Sequence, residues 1–335
     1  MDIGLNLPTH GLLSRQGSDI FIRKVAAEGL PLLKIAERAE ALGYHSLWFP
    51  DHVLMPRESE SAHLVNPESG QNAYPERPNM FDGAVTMGAV IARTSRIKVA
   101  PSVLISPYRH PLSDARQFAT VDVLSNGRLI MAVGPGWCSE EFEALGLRFE
   151  DRGAMTDECI EIYKLAWTDP WVEFHGRFYD FKQVSIDPKP VQRPRPPIVY
   201  GGVTKVGIRR ALRLCDGLYP IVTDPRVGPA AFRELTDMVR VEADKLNRDL
   251  SDFPMMALVM CRISESESGG KPAEFLSGSA AKIIDDLGSL AACGYSFCGL
   301  HLDIRSGSVA EFLEMMERFG EQVLPAAQGI KSAKE

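Results

Sequence analysis

The sequence has no apolar run approaching the ~20 residues that a bilayer-spanning helix needs, which argues against a helical membrane span. It also has no long run of one charge sign, and its formal net charge is only -7, so neither nucleic acid nor an anionic membrane is indicated as a partner. Six cysteines are present, Cys138, Cys159, Cys215, Cys261, Cys293 and Cys298, but no C-x-x-C pair. Scattered through apolar segments, they read as reduced, mostly buried thiols rather than a disulfide framework. The stretch from Met1 to Pro8 lacks the basic region and apolar core of a signal peptide. A soluble, cytoplasmic protein is expected.

What is present is an ordinary globular composition, 45% hydrophobic and 24% charged over 335 residues, ample for a sizeable core. Short apolar runs alternate with amphipathic ones, the pattern of repeated βα units and a parallel sheet. Strands are expected at residues 3–7, 46–49, 97–105, 129–133, 198–200, 218–222, 255–263 and 298–303. Helices are expected at 30–42, 81–92, 111–124, 140–146, 155–167, 230–246, 278–292 and 309–323. Eight strands and their helices in this length give an α/β fold, a (β/α)8 barrel, as the expectation. An open doubly wound sheet would ordinarily carry G-x-G-x-x-G after its first strand, and none is present. One domain over 1–335 is expected, with insertions near 53–80 and 168–197. Within them, residues 58–78 read as a long polar loop, the stretch from Trp171 to Phe181 as a β-hairpin, and the proline-dense 188–197 as an arm returning to the barrel.

In such a barrel the active face lies at the carboxyl ends of the strands. That rule selects Asn6, Asp51, His52, residues 102–105 and 134–137, Gly201, Gly202, Tyr219, Arg262, His301 and Asp303. The set holds several glycines where backbone can approach a flat or phosphorylated ligand, and few convergent metal ligands. Asp51 beside His52 pairs a carboxylate with a residue type that can serve as acid or base. By residues alone the pair equally fits a capping aspartate next to a surface histidine. Gly201 and Gly202 open a basic helix, a ready anion site, although Arg209 and Arg210 equally fit a solvated helix face.

The string from Gly127 to Trp137, with Gly134, Gly136 and Trp137 closing a short strand, continues through Glu140, Gly146, Arg152 and Trp167 to Thr168. It resembles the luciferase-like monooxygenase family, the flavin and deazaflavin oxidoreductases related to bacterial luciferase, and most closely the members that use coenzyme F-420. The resemblance implies a barrel enzyme, a small organic substrate, a homodimer, and hydride transfer with coenzyme F-420, a deazaflavin. The alternative within the family is a monooxygenase that takes reduced FMN from a separate reductase. Outside it stand a flavin-binding barrel without turnover and a metal-dependent hydrolase using His52, His301 and Asp303. The resemblance further implies that His52 is catalytic, exchanging a proton or orienting the substrate. Asp51, Ser102, Val103, Gly134, Gly136, Trp137, Gly201, Gly202 and Thr204 then contact the cofactor, with no metal. It places a non-prolyl cis peptide at Ser102-Val103, where the residues alone read as an ordinary valine-rich strand. Trp137 stands where sugar-phosphate dehydrogenases of this subgroup have a catalytic glutamate, which argues against their reaction; core packing is its other reading.

Overall fold

The structure is a computed structural model that describes all residues except 17–18, 58, 60, 62–65, 67–68, 223, 225, 265–273 and 334–335. Among the described residues eight strands form the barrel: β1 (Asp2–Asn6), β2 (Ser46–Phe49), β3 (Lys98–Pro101), β4 (Met131–Gly134), β5 (Ile198–Tyr200), β6 (Gly217–Leu218), β7 (Met255–Ile263) and β8 (Tyr295–Leu302). They pair in parallel in the order 3-2-1-8-7-6-5-4. A bridge from Val99 to Leu129 joins the two ends of that order and closes the ring. After β3 the chain resumes as Leu104–Ile105 and pairs with Val133 and Gly134, and the Ser102-Val103 peptide between the two segments is cis.

Parallel neighbours need crossovers, and helices supply them: α1 (Leu32–Leu42), α2 (Gly83–Ile91), α3 (Pro111–Ser125), α4 (Ser139–Ala144), α5 (Arg152–Thr168), α6 (Lys205–Leu214), α7 (Pro229–Leu246), α8 (Ala280–Ala292) and α9 (Val309–Gln322). α1 shows the logic, since Leu32, Ile35, Ala36 and Ala39 recur at helical spacing and are the residues it buries, and Gly43 in the left-handed region ends it. Alternation along the strands separates two cores. Ile3, Leu5, Cys298 and Leu300 point outwards to the helices, while Trp48, Tyr219, Met256, Leu258 and Phe297 fill the barrel. Trp48 stacks on Tyr219 with ring centroids 4.2 Å apart. Position 4 has to be glycine, because a Cβ there would lie 2.5 Å from both Trp48 and Phe297.

Two elements differ from expectation. The sixth strand breaks into Gly217–Leu218 and Ile221–Val222, because Pro220 has no N–H to donate to the ladder. An antiparallel hairpin of Leu12–Gln16 with Asp19–Arg23 follows β1. Its apolar alternation is too weak to read, Leu12 and Ile20 being its buried apolar residues. The second hairpin forms from Val172–His175 and Asp180–Val184, and the Glu158 carboxylate accepts from the backbone of Arg177, Phe178 and Tyr179 at its turn. The proline-dense arm is strapped to the end of α3, where Asp122 accepts from the N–H groups of Val191 and Gln192. The six cysteines are free and buried. Among the described residues no helix is long and apolar enough to cross a membrane.

Part of the expected 58–78 loop lies outside the described residues; the described part is pinned to the first hairpin, to α4 and to His10. Asn66 exchanges hydrogen bonds with the backbone of Ile20 in the first hairpin, at 2.7 and 2.9 Å. Ser61 donates to Glu140 at 2.7 Å and accepts from Ser139 N, at the start of α4.

Candidate active site

Because Gly4 and Gly299 face the barrel interior, so do Asn6 and His301 two residues further along their strands, which brings both to the mouth. The Asn6 carboxamide, Thr9 Oγ and His10 Nε2 are buried with no hydrogen-bond partner among the described residues. His10 Nδ1 lies 3.2 Å from the Tyr74 hydroxyl, and its ring centroid is 5.7 Å from that of His52. Burial lowers the pKa of His10 well below the ordinary imidazole value and lowers that of His301 to about 4. In both rings burial favours the neutral form.

At the end of β2 the Asp51 carboxylate and His52 Nδ1 are both engaged. Asp51 accepts from Arg109 at both oxygens, at 2.7 and 2.8 Å, and from Ile105 N–H at 3.0 Å. His52, with a side chain 8% exposed, places Nδ1 at 2.8 Å from Glu141 Oε2. Glu141, itself fully buried, accepts from the Tyr108 hydroxyl at 2.8 Å, from Val53 N at 2.7 Å and from Leu54 N at 3.2 Å. Burial alone would raise the carboxyl pKa; the bonds from His52, Tyr108 and the backbone outweigh it and leave it below the ordinary value. The neighbouring Phe142 explains how α4 delivers this group, because its ring sits in a small apolar cluster with Ile105 and Tyr108.

The remaining residues singled out from the sequence fall into two further groups. Ser102 Oγ lies 3.4 Å from the Tyr219 hydroxyl. Val103 is wedged between two glycines: a Cβ on Gly134 or on Gly201 would come within 2.6 Å of its methyls. Gly136 has φ +82°, and a Cβ there would meet Ile105 and Phe142. Trp137 stands edge-on to His52, ring centroids 6.0 Å apart, so it belongs to the histidine group. Gly202 packs on the Tyr200 ring, and Thr204 caps α6 by accepting from Gly207 N at 3.1 Å. Arg210 is not on a solvated face: it is 8% exposed, paired with Asp157 and bonded to the Tyr200 hydroxyl, because α6 turns it towards α5. Arg209 pairs with Glu242 on α7 at 2.6 Å.

Sequence reasoning missed Glu141, Tyr108, Arg109, Thr9, His10 and Tyr74. Glu141 sits among three near-adjacent carboxylates, and its position beside an apolar helix residue was the one available signal. Of the metal-site alternative, Asp303 accepts instead from Arg15 N at 3.1 Å and pairs with Arg305. Among the described residues no group of three or more His, Cys, Asp or Glu is arranged to hold a metal ion.

Comparison with known proteins supplies the context for this geometry. An uncharacterised protein of Mycobacterium tuberculosis is 35% identical over 185 residues, 55% of this chain and 63% of that one. The FMNH2-dependent dimethylsulfone monooxygenase of Pseudomonas putida is 29% identical over 214 residues, 63% of this chain and 57% of that one. The chain thus spans about three fifths of the length of the curated relatives it matches. Among solved structures, the coenzyme F-420-dependent tetrahydromethanopterin reductase of Methanopyrus kandleri superposes with TM-score 0.72 at 16% identity, covering 97% of this chain and 98% of that one. The oxygenating constituent of 3,6-diketocamphane monooxygenase from Pseudomonas putida, in complex with FMN, gives 0.71 at 16% identity with the same coverage. These two likenesses carry the fold. The family model for luciferase-like monooxygenases matches residues 4–269, which take in the barrel from β1 through β7 and stop short of β8, and the chain belongs to the luciferase-like monooxygenase family of oxidoreductases.

Proposed function

We propose that the protein is a coenzyme F-420-dependent oxidoreductase in which hydride passes between the deazaflavin and a small organic substrate, with His52 exchanging the accompanying proton. The observation that carries this reading is His52 itself, a nearly buried imidazole bonded to a buried carboxylate at the strand ends where barrel enzymes do their chemistry. The residues present fit a polar, planar group. Asn6, Thr9 and His10 offer buried donors and acceptors with no protein partner among the described residues, and Trp137 and Tyr74 offer aromatic walls beside His52. The deazaflavin supplies the hydride-carrying carbon.

The chain's own groups have separate tasks in this scheme. Asp51 Oδ1, with Arg109 as its donor, retains an accepting lone pair for the cofactor. Ser102, Val103, Gly134 and Gly136 shape the surface that the ring faces. Gly201, Gly202 and Thr204 take the phosphate end: the Thr204 oxygen caps α6, and its O–H remains to donate to an anion. The whole chain acts as one domain, a homodimer of the cytoplasm.

The second reading is an FMNH2-dependent monooxygenase served by a separate reductase, favoured by the identity with the dimethylsulfone enzyme. Titration of the purified protein with coenzyme F-420 and with FMN, followed by tryptophan fluorescence, separates the two. Tight deazaflavin binding with weak FMN binding is expected, and the reverse preference would make the oxygenase reading primary. On the holoenzyme, His52→Ala should lower kcat by about 10²-fold or more with little change in cofactor affinity. Unchanged turnover would remove His52 from the chemistry.

A further inference from the structure

We propose that Glu141 is the positioning residue for His52: it keeps the imidazole proton on Nδ1, so that Nε2 is the one ring atom that exchanges a proton at the mouth. The inference rests on the reading of His52 given above and adds the direction in which the ring works.

Four groups converge on the Glu141 carboxylate. Val53 N and Leu54 N donate to Oε1. The Tyr108 hydroxyl bonds Oε2 at 2.8 Å, and His52 Nδ1 lies at the same distance from that oxygen. An ionised carboxylate only accepts, so the contact with Nδ1 requires a hydrogen on that nitrogen. In the neutral ring Nε2 then carries the lone pair. A carboxylate so placed selects tautomer and orientation together, as a buried partner does for a catalytic or metal-bound histidine. The same carboxylate is bonded to the backbone immediately after His52, so ring and main chain are referred to one anchor. His10, Tyr74 and Trp137 surround the His52 ring with centroids 5.5 to 6.0 Å away, none stacked flat upon it.

The Glu141→Gln variant separates positioning from packing. It preserves the volume and leaves an oxygen for the two backbone donors, but its amide presents N–H to His52. The ring must then accept at Nδ1 and carry its proton on Nε2, the inverse tautomer.

The test uses 15N-histidine-labelled full-length protein without added cofactor, at about pH 8, where an ordinary imidazole is neutral. Two-bond nitrogen–proton correlation spectra are recorded, and His52 is assigned by the signal lost in His52→Asn. In the wild type the Nδ1–H tautomer should predominate by about tenfold or more, and in Glu141→Gln the ratio should invert. A wild-type ring protonated at Nε2, or at both nitrogens, would overturn the proposal, as would an unchanged tautomer in a folded Glu141→Gln protein. The wild-type spectrum decides the tautomer even if the variant does not fold. The spectra need no turnover, so the two readings can fail separately: an Nδ1–H ring with undiminished turnover in His52→Ala would discard hydride-coupled proton exchange and leave the role of Glu141 standing.

Discussion

The two sides of the barrel mouth are built on opposite plans. On the β2 side, Asp51, His52, Tyr108, Arg109 and Glu141 bond one another. On the β1 side, the amide of Asn6, Thr9 Oγ and His10 Nε2 are as deeply buried and have no protein partner among the described residues. Burying a polar group without a partner costs about 1–3 kcal/mol, so the second arrangement is a stability cost that the protein carries. The difference teaches that the mouth has a part completed by folding and a part whose polar groups a ligand can complete.

The sharpest way to break this contrast is to open the completed side. Arg109→Met leaves Asp51 buried without its cation and should destabilise the fold by about 3–5 kcal/mol in urea unfolding. Adding Asp51→Asn should recover a large part of that loss, and equal stability of wild type and Arg109→Met would show that the pair contributes little. Next in size, Gly134→Ala drives a methyl to within 2.6 Å of Val103 and should cost about 1–3 kcal/mol. In the double variant with Val103→Ala most of that cost should vanish; strictly additive unfolding energies would mean that the two positions do not touch.

A pH titration of stability addresses His301. Its folded pKa is about 4 against 6.5 for the free imidazole. Between those values the unfolded chain takes up a proton that the folded chain refuses, so stability rises as pH rises through this window and the contribution is flat above it. For a ring that keeps some solvent contact the limb should amount to about 1–2 kcal/mol, and it should disappear in His301→Asn. The smallest effect belongs to the unpartnered side. Asn6→Leu should leave the protein as stable as before or more stable by about 1 kcal/mol in thermal unfolding, while weakening cofactor binding in the fluorescence titration. A loss of several kcal/mol would place Asn6 among the completed groups instead.

Much of the architecture was legible because it is written in local periodicity. The seventh strand runs over Met255–Ile263 as the apolar run implies, and α3 starts at Pro111 as its first-turn proline signals. The first hairpin was not legible, since its burial comes from covering loops rather than from its own alternation. At the site, Asp51 and His52 could be found because they lie together at a strand end. Their partners could not, because Tyr108 is 33 residues and His52 is 89 residues from Glu141 in the chain. In the Glu140, Glu141, Glu143 cluster the one available signal, the apolar Phe142, flanks Glu141 and Glu143 alike, yet folding buries Glu141, half-buries Glu140 and leaves Glu143 exposed.

The glycines carry a last consequence. Gly134 and Gly201 invite interpretation as clearance for a ligand, yet the clearance is filled by the methyls of Val103. The ends of three strands are therefore held to a common height by one side chain, as a shim sets the spacing of machined parts. To enlarge the mouth for a bulkier substrate, the dimension to change is Val103, by trimming it to alanine. Altering either glycine would shift the strands themselves.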